Sequence, residues 1–258
     1  MKNLLVVLAL LALVSPVMAV PLNYVETWDS YGTGTGDASY NANWATQAGA
    51  SRYSIMSNTS AFSPENNLDQ EVGVALGIEN NLGDGVEMPL GAYLQPTAAN
   101  KVIAGIYWNP VDNNRQTTNF VFELLQGSTV VAGAANSKVI DAGNNNPYWW
   151  NGANWIRETG GKVFAQASWN HIWLEITPNS TSGFNIVAHV DAFTRANPIW
   201  SNVAATGIDK IRIRSVGTTD DNSWIDNVYV TGGEIVPEPS ALLILALGGL
   251  PLLRRRRG

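Results

Sequence analysis

The chain has 258 residues, with 21 acidic against 15 basic side chains, two histidines, no cysteine and a net charge of −6 at pH 7. It therefore has no disulfide framework and no thiolate zinc site, and two well-separated histidines do not make a zinc cluster on their own. The acidic balance argues against nucleic acid and anionic lipid as partners.

Met1-Lys2-Asn3 is a basic start, Leu4 to Val14 is an apolar run, and Val17-Met18-Ala19 offers small or tolerated residues before a cut. This order predicts a secretory signal helix over residues 1–19, cleaved after Ala19. The run lacks the polar face that a buried N-terminal helix would show. Residues 20–233 then read as one large domain, with two as the alternative. Without the two ends its net charge is about −9. An exported domain of this size without disulfides has to rest on its core.

Within that domain long helical periodicity is missing. Short alternating or β-branched runs recur at 24–28, 52–56, 71–76, 101–108, 119–125, 129–132, 138–141 and 162–165. Others follow at 171–177, 185–191, 209–214 and 224–230, with Gly, Asn, Ser, Thr and Pro between them. Gln126-Gly127-Ser128 and Pro178 to Gly183 mark two hairpins. Ile172, Leu174 and Ile176 share one face of their strand, with Trp173 on the other. Ile211 and Ile213 alternate with Lys210, Arg212 and Arg214, the pattern of a strand with one wet face. A dozen such strands predict an all-β fold, a sandwich of two antiparallel sheets. No fixed-period repeat points to a propeller or solenoid.

All ten tryptophans fall between Val20 and Gly233. The densest group, Tyr148, Trp149, Trp150 and Trp155, sits among Asn, Gly and Pro and reads as a loop. Sugars present flat C–H faces to aromatic rings, so these four residues are candidates for a glycan platform. The other reading is that they fold back over an open end of the sandwich. Trp28, Trp108, Trp173 and Trp224 lie in expected strands and are core candidates.

Catalytic signals are sparse. Polysaccharide hydrolases of this broad fold carry a Glu-x-Asp-x-x-Glu strand, because nucleophile and acid must flank one bond; the chain has none. Glu65, Asp69 and Glu71 read as a solvated loop, and Glu175 as a solvent-facing strand carboxylate. His171 and His189 with Asp191 or Glu175 resemble a base and its orienter, but no Gly-x-Ser-x-Gly elbow accompanies them. The expectation is a non-catalytic protein; a polysaccharide-cleaving enzyme would need distant carboxylates to converge.

The C-terminal segment 234–258 contains Pro237-Glu238-Pro239, an apolar run from 241 to 253 and the cluster Arg254, Arg255, Arg256 and Arg257. As a helix the run reaches roughly 20 Å, short of a hydrocarbon core of about 30 Å. Gly248, Gly249 and Pro251 weaken it further. The arginines stay cytoplasmic and leave the domain outside. An ordinary single-span anchor is one reading, and a lipid-anchor signal after Thr231-Gly232-Gly233 another, although its spacer is short.

The tail closely resembles the PEP-CTERM sorting signal of exopolysaccharide-producing Gram-negative bacteria, with its triplet, membrane helix and arginine cluster in order. The resemblance implies an exosortase-type membrane enzyme as partner, transient anchoring in the inner membrane, and delivery to the envelope or extracellular matrix. A second resemblance is to concanavalin A-like and laminin-G-like jelly rolls. Ser168 to Ile176, Ile208 to Ile211, Trp224 to Val230 and the opening Val25 to Tyr31 carry it. Jelly-roll carbohydrate-binding modules often hold a structural calcium between the first and last strands. By that likeness Glu26 or Asp29 with Asp226 are its candidate ligands, and Asp220-Asp221-Asn222 competes. Together the two likenesses imply a protein that binds or organises exopolysaccharide; a purely structural matrix protein is the alternative.

Overall fold

The computed structural model describes residues 22–26, 45–46, 53–57, 74–78, 85–110, 120–136, 146–161, 163–165, 168–214 and 223–236. Several expectations fall outside them: the signal segment with Ala19, Asp29, the acidic groups at 65–71 and 220–221, the strand at 138–141, and the tail from Pro237 through Arg257.

In chain order the strands are β1 (Leu22–Glu26), β2 (Ala45–Thr46), β3 (Tyr53–Ser57), β4 (Val74–Ile78), β5 (Gly85–Gln95), β6 (Val102–Pro110), β7 (Val121–Gln126) and β8 (Thr129–Asn136). They continue as β9 (Pro147–Trp150), β10 (Trp155–Arg157), β11 (Asn170–Pro178), β12 (Phe184–Val190), β13 (Phe193–Thr194), β14 (Ile199–Ser201), β15 (Ile208–Arg214), β16 (Ser223–Gly232) and β17 (Glu234–Val236). Sheet I runs β13-β12-β11-β6-β16-β4-β3, with β1 on β16 and β14 on β12. Sheet II runs β10-β9-β8-β7-β15-β5-β17, with β2 on β5. The pairings are antiparallel throughout, so the described chain is all-β with two sheets, as the alternation predicts. β17 pairs with β5, Glu234 opposite Gln95 and Val236 opposite Tyr93.

The reason for the sandwich is visible along β11. Ile172, Leu174 and Ile176 are buried while His171, Trp173 and Glu175 are half-buried, the period of two that pleating imposes. Across the gap β15 does the same with Ile211 and Ile213 inward. These residues join Phe122, Leu124, Trp108 and Trp149 in one core contributed by both sheets. At one place Trp108, Phe120 and Phe164 pack together, with ring centroids 4.6 and 5.0 Å from the indole. Each fully buried large side chain contributes about 1.5–3 kcal/mol, so a core of this breadth stabilises the sandwich without disulfides. Both expected hairpins are present, β7–β8 around Gly127 and β11–β12 closed by the Asn179 N–H bond to the Gly183 carbonyl.

Three expectations need correction. The segment 163–165 is not a strand. Trp173, a core candidate, lies half-buried on the outer face of sheet I, on the side opposite Ile172 and Leu174. The Trp-rich segment is the paired strands β9 and β10 rather than a loop.

Candidate functional site

Sheet II turns its outward side chains into one charged and aromatic face. On β15 the outward residues are Lys210, Arg212 and Arg214, and register sets Arg212 opposite Glu123 of β7 and Glu87 of β5. Arg212 Nε donates to Glu123 Oε2 at 2.6 Å, and Arg214 makes two bonds to the same carboxylate at 3.0 and 2.8 Å. Lys210 Nζ lies 2.8 Å from Glu87 Oε2, and Arg212 Nη1 3.4 Å from Glu87 Oε1. Two carboxylates are thus threaded between three cations. The Glu123 side chain is only 2% exposed although it stands on an outer face, because both guanidinium groups lie against it.

The aromatic hairpin adjoins this row. Trp155 pairs in register with Trp150, their rings meet edge-on at 5.4 Å, and Trp150 Nε1 donates to the Val130 carbonyl at 3.0 Å. Gly133 on β8 lies between the rings and the charges. A Cβ there would lie 3.1 Å from the Trp155 ring and 3.5 Å from Glu123 Cγ. With only a hydrogen at that position, the Trp155 ring edge comes down over the Gly133 backbone, at the register position opposite Glu123.

The four expected platform residues separate into two kinds. Trp149 is fully buried, faces the core, and donates its indole N–H to Glu158 at 3.1 Å. Tyr148 is 3% exposed and packs with Val121 and Ala135. An enclosed ring offers no face to a sugar, so only Trp150 and Trp155, both half-buried, remain as stacking surface. Asn151 closes the turn between their strands by accepting the Ala153 and Asn154 N–H groups at 2.9 and 2.6 Å.

The expected calcium ligands are placed as follows. β1 does pair with the late strand β16, and Glu26 stands opposite Val228. Asp226 is buried, and its Oδ1 accepts the Asn227 N–H at 2.7 Å. Among the described residues no group of three or more histidine, aspartate or glutamate side chains is arranged to hold a metal ion. His171, His189, Glu175 and Asp191 do come together, on the outer face of sheet I and away from the Trp hairpin.

No family model and no curated relative matches the sequence. Solved structures do match in fold. The globular domain of T. cruzi calreticulin aligns over 87% of this chain and 93% of its own, with a TM-score of 0.52 and 10% identity. The alginate lyase Aly36B aligns over 86% and 100%, with a TM-score of 0.50 and 15% identity. The catalytic domain of a glycoside hydrolase family 131 protein from Coprinopsis cinerea aligns over 82% and 96%, with a TM-score of 0.50 and 7% identity. This chain spans 18% of the length of a sialidase that it also resembles. At such identities the likeness is one of fold alone, an all-β sandwich of two antiparallel sheets.

Proposed function

We propose that this is an exported, non-catalytic protein of the cell envelope or extracellular matrix that binds or organises exopolysaccharide through the outer face of sheet II. A signal peptide delivers it, and an exosortase-type enzyme sorts it at the C-terminal tail. The observation that carries the binding reading is the Trp150–Trp155 pair on the same outer face as the Glu87–Arg212–Glu123–Arg214 row, with Gly133 between Trp155 and Glu123. Aromatic rings supply apolar contact to sugar faces, and the flanking charges supply hydrogen bonds that fix orientation. The carboxylates support binding rather than cleavage. Glycoside hydrolysis places one proton-donating carboxyl and one carboxylate free to attack or activate water on either side of the bond, whereas Glu87 and Glu123 are each held by two cations.

The full-length protein in mild detergent should retain exopolysaccharide from its own host in a pull-down. Trp155→Ala should weaken that retention about 30-fold, the size of an aromatic hot-spot truncation of about 2 kcal/mol, while the fold stays intact. Failure of the wild type to retain the polymer returns the structural-matrix reading. Sorting is tested separately by intact mass. Protein recovered from the host envelope should begin at Val20 and lack Arg254 to Arg257; recovery with both ends uncut refutes the delivery route.

A further inference from the structure

The outer face of sheet I is built differently from that of sheet II. Register brings Tyr229, Gly105, Trp173, His189 and Thr194 into one line across β16, β6, β11, β12 and β13, with Tyr107 and His171 paired beside it. A Cβ on Gly105 would lie 2.6 Å from the Tyr229 hydroxyl and 2.7 Å from Trp173 Cβ, so bare backbone at 105 is what admits both side chains. The rings stand as a row. Tyr107 and His171 stack at 4.2 Å and 4°, His171 and Trp173 at 4.4 Å and 23°, and Trp173 and His189 at 4.4 Å and 2°. With an imidazole stacked on each side of it, Trp173 has no open face for a sugar, and what the row presents outward is ring edges.

Those edges differ in how well they are served. His171 Nε2 meets the Tyr229 hydroxyl at 2.8 Å, and burial pushes the His171 imidazole down to about 4. His189 Nδ1 meets Thr194 Oγ1 at 2.9 Å. Burial lowers the His189 imidazole too, against the pull of the Glu175 carboxylate, so it is neutral at pH 7. When the Thr194 hydroxyl donates to Nδ1, Nε2 carries the proton. That Nε2 has no hydrogen-bond partner although His189 is only 7% exposed. Glu175 Oε1 is 3.5 Å away, too far for a good hydrogen bond, and its other oxygen accepts Lys101 Nζ at 2.6 Å. A buried donor left without an acceptor costs about 1–3 kcal/mol, and one added group removes that cost.

The chemistry of that group follows from its neighbours. It must accept from the imidazole N–H and donate to the carboxylate, which a hydroxyl does and a carboxylate or phosphate does not. A cation would meet the Lys101 ammonium. We propose that the outer face of sheet I is a second binding site, taking a neutral polyhydroxylated ligand, a sugar, one hydroxyl of which bridges His189 Nε2 and Glu175 Oε1 beside the Trp173 edge. This site shares no residue with the Trp150–Trp155 face and stands whether or not that face binds. Because the two sheets pack through their inner faces, the two outer faces point apart. One molecule with a site on each joins two glycan chains, which is a way of organising a matrix rather than coating it.

The test is a nuclear magnetic resonance titration of the full-length protein with cellotetraose and with mannotetraose, following the His189 imidazole and Trp173 indole signals. Both signals should move saturably with at least one of these sugars. Glu175→Gln, on a side chain already 27% exposed, and His189→Ala, read at the Trp173 indole, should each weaken the response tenfold or more, and Trp155→Ala should leave it unchanged. Signals that stay still with both sugars, or a Glu175→Gln protein that responds like wild type, overturn the proposal. Loss of the response in Trp155→Ala overturns its independence from sheet II.

Discussion

Replacing Glu123 by alanine should lower the free energy of unfolding by about 3 kcal/mol, at the lower end of the roughly 3–5 kcal/mol for breaking a buried ion pair. The lower end applies because Arg212 and Arg214 keep 18% and 25% of their side-chain exposure, so water takes up part of the loss. What makes the effect large is arrangement. Arg212 and Arg214 alternate along one strand and share the Glu123 carboxylate through three bonds. Without it two guanidinium groups face each other across one pleat, with Glu87 left to serve Arg212 and Lys210. Urea unfolding followed by tryptophan fluorescence measures this directly. A loss below about 1 kcal/mol would class the row with screened surface pairs and remove its claim to hold a fixed geometry. Leucine at 123 should be no better than alanine, since the unpaired arginines remain in both.

This network was not legible in the sequence, and the reason is physical. Alternation along 209–214 correctly set Lys210, Arg212 and Arg214 on one face of a strand. Their partners lie 89 and 125 residues away, a separation that no local pattern encodes. Glu123 gives one signal, a lone acid inside the apolar run Phe120 to Leu125, which a dry carboxylate needing a cation explains afterwards. β11, β12 and β15 were readable because one face is wet and the other dry. β5 was not, since Gly85, Pro89 and Gly91 interrupt its pattern, and its register against β15 shifts between Leu94 and Pro89. The Trp hairpin was misread because Asn, Gly and Pro around it mark turns, and turn residues flank a tight two-strand ribbon as readily as a loop. Alternation held even there: Trp149 points inward between Tyr148 and Trp150. The ring row on sheet I was half visible. The sequence put Trp173 on the face opposite Ile172, but its stacking on His171 and His189 depends on the pairing of β11 with β12 and on Gly105 in β6.

Trp149→Ala should cost about 3–5 kcal/mol, as large-to-small changes of buried aromatic residues do, and it separates packing from recognition within the Trp-rich hairpin. The indole is fully enclosed in the shared core, so its removal leaves a cavity between the sheets. It also strips one donor from Glu158, a carboxylate that is itself only 4% exposed. Burial would push that carboxyl up, but the Gly160 N–H, the Trp149 N–H and the Arg195 guanidinium at 2.7 Å together hold it below the ordinary range. Taking away the Trp149 donor raises it again, so the variant has less of the carboxylate's contribution at pH 7 and less to lose: its deficit against wild type should be largest near neutral pH and narrow as the pH falls through the acid range, where the native carboxylate takes up its proton. Trp149→Phe keeps most of the volume and loses the N–H, and should fall between alanine and wild type. Against this, Trp155→Ala removes a half-buried ring from the outer face and should weaken glycan retention with little change in unfolding midpoint. If Trp149→Ala unfolds like wild type while glycan retention falls, the indole meets sugar rather than core, and the assignment of inner and outer faces along β9 is wrong.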